Sequence, residues 1–178
     1  GHIVADPILI LWMLSPAIAW FISRPLVKPL SNLTEQQTIF LRKIARKTWA
    51  YFEKFVTADD NWLPPDNFQE HPVERIAHRT SPTNIGLSLL SNLAAVDFGY
   101  ITYNQFLDRT SNSFATLQNM ETYRGHFYNW YDTQTLNPLP PRYISTVDSG
   151  NFAGHLLTLR QATIAMPGQP VIGHALFE

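Results

Sequence analysis

Cysteine is absent from the 178-residue sequence, which excludes disulfides, thiolate metal sites and a cysteine nucleophile. Charged residues are scarce as well, at 15% of the chain, and the net charge is −1. No basic run stands out, so nothing indicates a nucleic-acid partner. The apolar fraction of 45% is enough to build a core but leaves few charges to solubilise the surface. We interpret the chain as one domain or a part of a larger one.

An uncharged apolar run from Pro7 to Ile22 dominates residues 1–30 and is followed by a Pro-rich linker at Pro25–Pro29. At about 16 residues it is shorter than the roughly 20 that an upright membrane helix needs, and Ser15-Pro16 interrupts it. A signal peptide fits poorly, because the positive n-region and the small-residue cleavage site are missing. Two interpretations stay open: a helix that contacts a membrane, and a helix that packs on a neighbour outside this chain.

Capping residues and hydrophobic spacing predict three further helices. The first begins with the capping box Thr34-Glu-Gln-Gln37 and runs to about Thr57. The second begins at Ser81-Pro82 and stops at Gly99, and the third spans about Tyr103 to Tyr123. We expect one face of each to be buried, at Leu41, Ile44, Ala45, Phe52, Phe55 and Val56, at Ile85, Leu89, Leu93 and Val96, and at Phe106, Thr110, Phe114, Leu117 and Met120.

Loops that mix aromatic and polar residues separate these helices. The densest is Arg124–Asp132 (RGHFYNWYD), which carries four aromatic side chains, and Asp59–Arg79 repeats the mixture around Trp62 and Phe68. Sugar rings need such surfaces, because their C–H faces stack on aromatics and their hydroxyls need planar donors and acceptors. The alternative for Trp62 and Phe68 is that they pin the loop to the core.

Polar residues also gather where helices begin. Arg79, Thr80 and Asn84 surround the start of the second predicted helix, where free N–H groups favour oxygen-bearing ligands. Asp148-Ser-Gly-Asn151 is predicted to open a last helix after a short extended run, and Gly86 suggests close packing of another backbone. The alternation of helices with polar-aromatic loops is typical of a toroid of helical hairpins whose loops form a binding cleft at one end.

Four motifs carry a resemblance to a known family: Asp60–Glu70, Arg79–Gly86, Arg124–Asp132 and Tyr143–Asn151. In this order they resemble the central glucoamylase-like region of bacterial cyclic β-1,2-glucan synthases, over roughly residues 8–160. The resemblance implies a mainly α fold, an incomplete (α/α)6 toroid with long aromatic-rich loops and an N-terminal apolar helix. Residues 31–165 would be the N-terminal part of the toroid, and 166–178 a connecting tail.

The resemblance also implies a very large parent protein at the cytoplasmic side of the bacterial inner membrane. A membrane-embedded glycosyltransferase module that uses UDP-glucose would come before this region, and a phosphorylase-like module after it. The expected partners are β-1,2-glucan chains, the remaining domains and, through residues 7–22, the membrane. We expect this chain to contribute glucan-binding loops, to hold no cofactor of its own and to be inactive alone. The alternatives are a structural helical spacer without sugar binding and a self-sufficient hydrolase.

Site residues follow from the same motifs. The predicted glucan contacts are Arg79, Thr80, Asn84, Asn129, Trp130, Tyr131, Asp132, Asp148 and Asn151, with Trp130 or Tyr131 stacking on a sugar ring. Glycoside cleavage takes two carboxylates, and the candidates are Asp66, Glu70, Asp132 and Asp148. Asp148 is a candidate acid or a helix N-cap, and Asp132 a candidate partner of Arg124 or Arg142. The six histidines show no metal-binding spacing. We expect the true acid and nucleophile to lie outside this chain.

Overall fold

The computed structural model describes residues 2–24 and 32–168, and this part of the chain is mainly helical. This part contains five α-helices and three short two-stranded pairings. A 3-10 turn at Ala58–Asp60 follows the second helix, and another at Met166–Gly168 follows the fifth. The chain divides into two compact units, Gly1–Thr38 and Ile39–Glu178.

In the first unit, helix α1 (His2–Ile22) continues through Pro16. The hydroxyl of Ser15 donates a hydrogen bond to the Trp12 carbonyl at 2.7 Å. Apolar side chains of α1 are exposed from Ile8 onward, Trp12 by 73%. Within the described ranges, no helix has the length and apolar character needed to cross a membrane. The predicted Pro-rich linker at residues 25–29 lies outside the described residues.

Helix α2 (Glu35–Phe55) begins with the predicted capping box. The Thr34 N–H donates to Gln37 Oε1 at 2.9 Å, and the Gln37 N–H donates to Thr34 Oγ1 at 3.3 Å. Phe55 is buried as expected, but Leu41 and Ile44 are 48% and 46% exposed, so the expected burial is wrong for the first half of the stripe. A periodic stripe shows which helix face prefers burial, but not whether a neighbour covers it.

Helices α3 (Pro82–Asp97) and α4 (Tyr103–Asn119) form as the sequence predicts, with one change of length. The Ser81 hydroxyl caps α3 by accepting from the Asn84 N–H at 3.3 Å. Helix α4 ends four residues before the predicted Tyr123, because Thr122–Tyr123 pairs with the following strand.

Helix α5 (Thr146–Ala165) packs along α3. Its N-cap is Ser145, whose hydroxyl accepts from the Asp148 N–H at 3.1 Å. The predicted N-cap role of Asp148 is therefore wrong, since that residue lies inside the first turn. A Cβ on Gly86 would lie 2.9 Å from His155 Cβ, so Gly86 gives room to a side chain of α5 and not to a backbone as predicted. Beyond residue 168 the predicted tail lies outside the described residues.

Among the residues that the structure describes, three antiparallel strand pairs organise the loops between the helices. Thr80 lies opposite Tyr131 and Arg79 opposite Asp132, which joins two of the predicted motifs directly. The pairs are β1 (Phe68–Gln69) with β2 (Arg75–Ile76), β3 (Arg79–Thr80) with β6 (Tyr131–Asp132), and β4 (Thr122–Tyr123) with β5 (His126–Phe127).

The core lies between α3, α4, α5 and the aromatic loop. Its buried members are Leu63, Ile85, Leu89, Phe106, Leu117, Met120, Tyr131, Phe152 and Leu159. Five of these nine, on α3 and α4 or directly after α4, are predicted to be buried, and two more belong to α5. Leu63 and Tyr131 come from the polar-aromatic loops. The loops that carry the predicted site are therefore part of the core packing.

Arg109 ties α2, α3 and α4 together. Its Nη2 donates to the carbonyls of Phe52 at 2.9 Å and Val56 at 3.3 Å, and its Nε donates to Asn92 Oδ1 at 3.1 Å. The guanidinium also lies 5.2 Å from the centroid of the Trp49 ring. Burial lowers the pKa of Arg109. The Phe52 carbonyl also accepts from the Val56 N–H at 3.1 Å, so Arg109 is its second donor. A cation at the last carbonyls of α2 is stabilised by the helix dipole.

Candidate functional site

Asp66 and Arg79 together link three of the motifs at the surface. Asp66 Oδ2 accepts from Arg79 Nε at 3.2 Å and from Arg79 Nη2 at 2.9 Å, and Asp66 Oδ1 accepts from Asn84 Nδ2 at 3.3 Å. The Arg79 guanidinium lies 4.8 Å from the centroid of the Trp130 ring. Because Arg79 is exposed and Trp130 and Asn84 are half-buried, this group forms a surface of one flat cation, one indole and one amide. We call it the Arg79–Trp130 surface.

The buried side chain of Asn129 fixes the position of Trp130 in this surface. Trp130 Nε1, which can only donate, lies 2.7 Å from one amide atom, and Asp148 Oδ2, which accepts, lies 2.9 Å from the other. The amide therefore presents its oxygen to Trp130 and its NH2 group to Asp148, and the Tyr143 hydroxyl donates to the same oxygen at 2.7 Å. Asn129 itself is only 6% exposed. It positions its neighbours and offers little surface to a ligand.

Asp148 joins the start of α5 to the start of α3. Burial raises the pKa of Asp148, but hydrogen bonds from the hydroxyls of Ser145, Thr83 and Ser81 and from the Thr83 N–H outweigh it and lower the pKa. A carboxylate at the N-terminus of α3 also gains from the helix dipole. Asn151 Nδ2 donates to Thr83 Oγ1 at 3.2 Å, on the exposed side of the same junction.

Asp132 holds the turn that follows β6. Its Oδ1 accepts from the Gln134 N–H at 3.0 Å, from the Thr135 N–H at 2.7 Å and from the Thr135 hydroxyl at 3.0 Å. Burial raises the pKa of Asp132, but these bonds and the nearby His78 outweigh it and lower the pKa. The predicted pairing with Arg124 or Arg142 is wrong, and Arg142 instead pairs with Glu121 at 3.3 Å.

Besides Asn129, two predicted ligand contacts are buried, and these two are buried completely. Tyr131 and Thr80 are both 0% exposed, so the prediction that they touch a sugar is wrong. Successive side chains of a strand point to opposite faces. In the β3–β6 pair, Thr80 and Tyr131 lie opposite each other on the core side, whereas Arg79 and Asp132 are accessible to solvent. The Tyr131 hydroxyl accepts from the Tyr128 N–H at 2.7 Å and donates to the Glu121 carbonyl at 2.6 Å.

The remaining predicted residues do come together. The accessible or half-buried ones all lie where α3 and α5 begin, or on the loops beside those two helix starts: Arg79, Asn84, Trp130, Asp132, Asp148 and Asn151. Three of the four candidate carboxylates accept several hydrogen bonds from protein groups: Asp66, Asp132 and Asp148. Glu70 is exposed after β1.

A second polar group was not predicted. Asp60 is 5% exposed, and its Oδ1 lies 2.7 Å from His78 Nδ1 and accepts from the Thr133 hydroxyl. Of these three residues, Asp60 and His78 border a cleft of about 610 Å³. Two strand pairings and a turn bring them together, so no sequence spacing signals the group. Among the described residues, no set of three or more histidine, aspartate or glutamate side chains could hold a metal ion.

Comparison with known proteins gives one sequence relative and several structures. The chain is 50% identical over 160 residues to the cyclic beta-(1,2)-glucan synthase NdvB of Rhizobium meliloti (strain 1021), which covers 86% of this chain but only 5% of the relative. No family model matches the sequence.

The solved structures share the fold over about a third of their own length. A candidate glucoamylase from Bacteroides fragilis NCTC 9343 matches 75% of this chain and 33% of its own, with a TM-score of 0.60 and 18% identity. One from Bacteroides caccae ATCC 43185 matches 70% and 31%, with a TM-score of 0.62 and 21% identity. An endo-β-1,2-glucanase from Chitinophaga pinensis, in complex with sophorotriose and glucose, matches 72% and 32%, with a TM-score of 0.59 and 18% identity.

These matches confirm the resemblance carried by the four motifs. The structures establish the fold alone, because their sequence identities are low. The chain is similar in sequence to a small segment of a cyclic β-1,2-glucan synthase, and it shares the helical fold of the glucoamylase-like structures.

Proposed function

We propose that this chain forms part of the glucan-binding surface of a larger β-1,2-glucan-processing protein. The observation that carries the proposal is the Arg79–Trp130 surface, at the point where α3 and α5 begin. The 50% identity to a segment of a cyclic β-1,2-glucan synthase supports glucan as the ligand.

The chemistry of this surface suits a sugar. The Arg79 guanidinium and the Trp130 indole are flat groups on which a sugar ring can stack. The amides of Asn84 and Asn151 each carry donors and an acceptor for hydroxyl groups. Two hydrogen bonds to Asp66 already restrict the Arg79 side chain, so Arg79 loses little conformational entropy when a ligand binds.

We propose that catalysis needs residues outside this chain. A general acid at neutral pH needs a raised pKa, whereas hydrogen bonds lower the pKa of both Asp132 and Asp148. Asp66 is bound to Arg79 and Asn84. These three carboxylates are better suited to holding loops than to transferring protons. Asp148 is therefore a weak candidate for the acid.

We also propose that this chain works as one part of a longer polypeptide. As the chain spans 5% of its relative, we propose that the remaining domains of a long polypeptide complete the glucan cleft. A glycosyltransferase module using UDP-glucose would supply the chain to be processed, at the cytoplasmic face of the bacterial inner membrane. The exposed apolar side chains of α1 would contact the membrane or those domains.

A structural helical spacer is the second candidate. The complete burial of Tyr131 and Thr80 favours it, because two of the predicted sugar contacts serve packing instead. A spacer would need no accessible indole, so the two functions differ in what Trp130 does.

Tryptophan fluorescence titrated with linear β-1,2-gluco-oligosaccharides separates them. We expect a saturable change that Trp130→Ala abolishes. Trp12→Ala, which removes an exposed indole from α1, is the matched control and should keep the change. A folded, helical chain that shows no change would favour the spacer.

A further inference from the structure

We propose that the cleft beside Asp60 and His78 is a second binding site, for a neutral hydroxylated unit such as a single glucose residue. It is separate from the Arg79–Trp130 surface and uses different side chains. The choice of glucose among neutral hydroxylated ligands rests on the proposed function.

The cleft has the size of a small-ligand site. Its volume is about 610 Å³, within the roughly 300–1,000 Å³ typical of ligand pockets. The end of α2, the 3-10 turn at Ala58–Asp60, strand β2 and the turn after β6 all contribute to its walls. The polar lining residues are Lys54, Thr57, Asp59, Asp60, His78 and Gln134.

A buried carboxylate fixes the imidazole at this cleft. A carboxylate taken out of water is costly unless hydrogen bonds satisfy it, and Asp60 Oδ1 has both Thr133 and His78 as partners. Because the carboxylate accepts, His78 Nδ1 carries the hydrogen and, in the neutral ring, Nε2 is left as an acceptor. An imidazole held in one orientation and one tautomer is prepared to accept a hydrogen bond from a ligand.

Other side chains at the cleft have unused hydrogen-bonding capacity. Within the part of the chain that the structure describes, the side chains of Thr57, Asp59 and Gln134 make no hydrogen bond. The ammonium of Lys54 lies 4.9 Å from the centroid of the Phe55 ring. Several donors and acceptors thus converge on one volume without satisfying each other. A few convergent polar groups in a cleft are typical of a specific binding site.

The charges of the lining select the ligand class. An anion would meet the carboxylates of Asp59 and Asp60. A cation would find Asp60 already paired with His78 and Thr133, and Lys54 offsets the charge of Asp59. A flat apolar ligand has little to stack on, since Phe55 is only 8% exposed. A neutral ligand with several hydroxyls remains, because each hydroxyl donates to Asp59 or His78 Nε2 and accepts from Gln134 or Lys54.

The test follows the side-chain NMR signal of His78, identified by its loss in His78→Gln. D-glucose and linear β-1,2-gluco-oligosaccharides are the two probes. We expect a saturable shift of this signal and an apparent affinity about tenfold weaker in the double variant Asp59→Ala/Gln134→Ala. Both residues are exposed, so the variant should fold. Asp97→Ala/Gln118→Ala changes two exposed residues of the same types on α3 and α4, and should bind as the parent does.

Each outcome decides one point. A shift with both probes supports a site for a free sugar or a chain end, and a shift with the oligosaccharides alone supports a site for a residue within a chain. No shift with either probe overturns the proposal, as does a shift that Asp59→Ala/Gln134→Ala leaves unchanged. Trp130 fluorescence read in the same samples reports separately on the proposed function, so one site can fail while the other stands.

Discussion

The amide of Asn129 accepts a hydrogen bond from the indole of its own neighbour, Trp130, at 2.7 Å. The same amide reaches Asp148 at 2.9 Å. One buried side chain thus connects the aromatic loop before β6 to the first turn of α5. The exposed surface above it owes its shape to this contact.

Asn129→Leu removes this connection with little change in volume. It leaves the Trp130 Nε1 and one oxygen of Asp148 without their partner, so we expect a loss of about 1–3 kcal/mol in the free energy of unfolding. Chemical denaturation measures it. Asn104→Leu, at an exposed position of α4, is the control and should change stability by less than about 0.5 kcal/mol. Equal effects in the two variants would contradict the role of Asn129.

Gly86→Ala should be destabilising by about 1–3 kcal/mol, because the new Cβ would collide with the His155 side chain. Gly150→Ala is the matched control, since a Cβ there meets nothing within 4 Å and alanine favours a helix by about 1 kcal/mol. Thermal denaturation of both variants checks the signs. Adding His155→Ala to Gly86→Ala should recover part of the loss, and additive effects would show that the two residues do not interact.

Arg109→Met should cost about 2 kcal/mol or more, because it leaves the carbonyls of Phe52 and Val56 and the oxygen of Asn92 without their charged donor. Arg160→Met, at an exposed position of α5, provides the comparison in the same urea titration. A loss no larger than that of Arg160→Met would mean that Arg109 does not tie the three helices together.

Stability should fall in acid partly through Asp148. Its pKa is lowered in the folded chain, so its contribution is present above the unfolded value of about 3.9 and is lost as the pH falls through the folded pKa. Asp148→Asn should therefore flatten the dependence of unfolding free energy on pH below about pH 5. Unfolding in urea at a series of pH values measures this slope. Parallel curves for the parent and the variant would contradict it.

Local signals explain what the sequence predicts well. Thr34 and Ser81 were predicted as capping residues because capping depends on side chains within three positions, and the helix starts follow from them. The start of α5 was misplaced for the same local reason, since Ser145 and Asp148 both suit an N-cap and only the structure distinguishes them.

Contacts between residues distant in sequence explain the features that sequence analysis misses. The burial of Thr80 and Tyr131 depends on the pairing of β3 with β6, which no short window contains. The same holds for Asp60 and His78, which meet through a turn and a strand. The exposure of Leu41 depends on which neighbours cover α2, and periodicity carries no information about neighbours.

Calorimetric titration with linear β-1,2-gluco-oligosaccharides tests the central claim most directly, using the parent chain, Arg79→Ala and Trp130→Ala, with maltooligosaccharides as the linkage control. We predict binding of the β-1,2-linked ligand by the parent and a loss of about tenfold or more in affinity in either variant, since each removes one flat group of the surface. Binding that neither substitution weakens, or no binding by a folded parent chain, would contradict the claim that the Arg79–Trp130 surface recognises glucan.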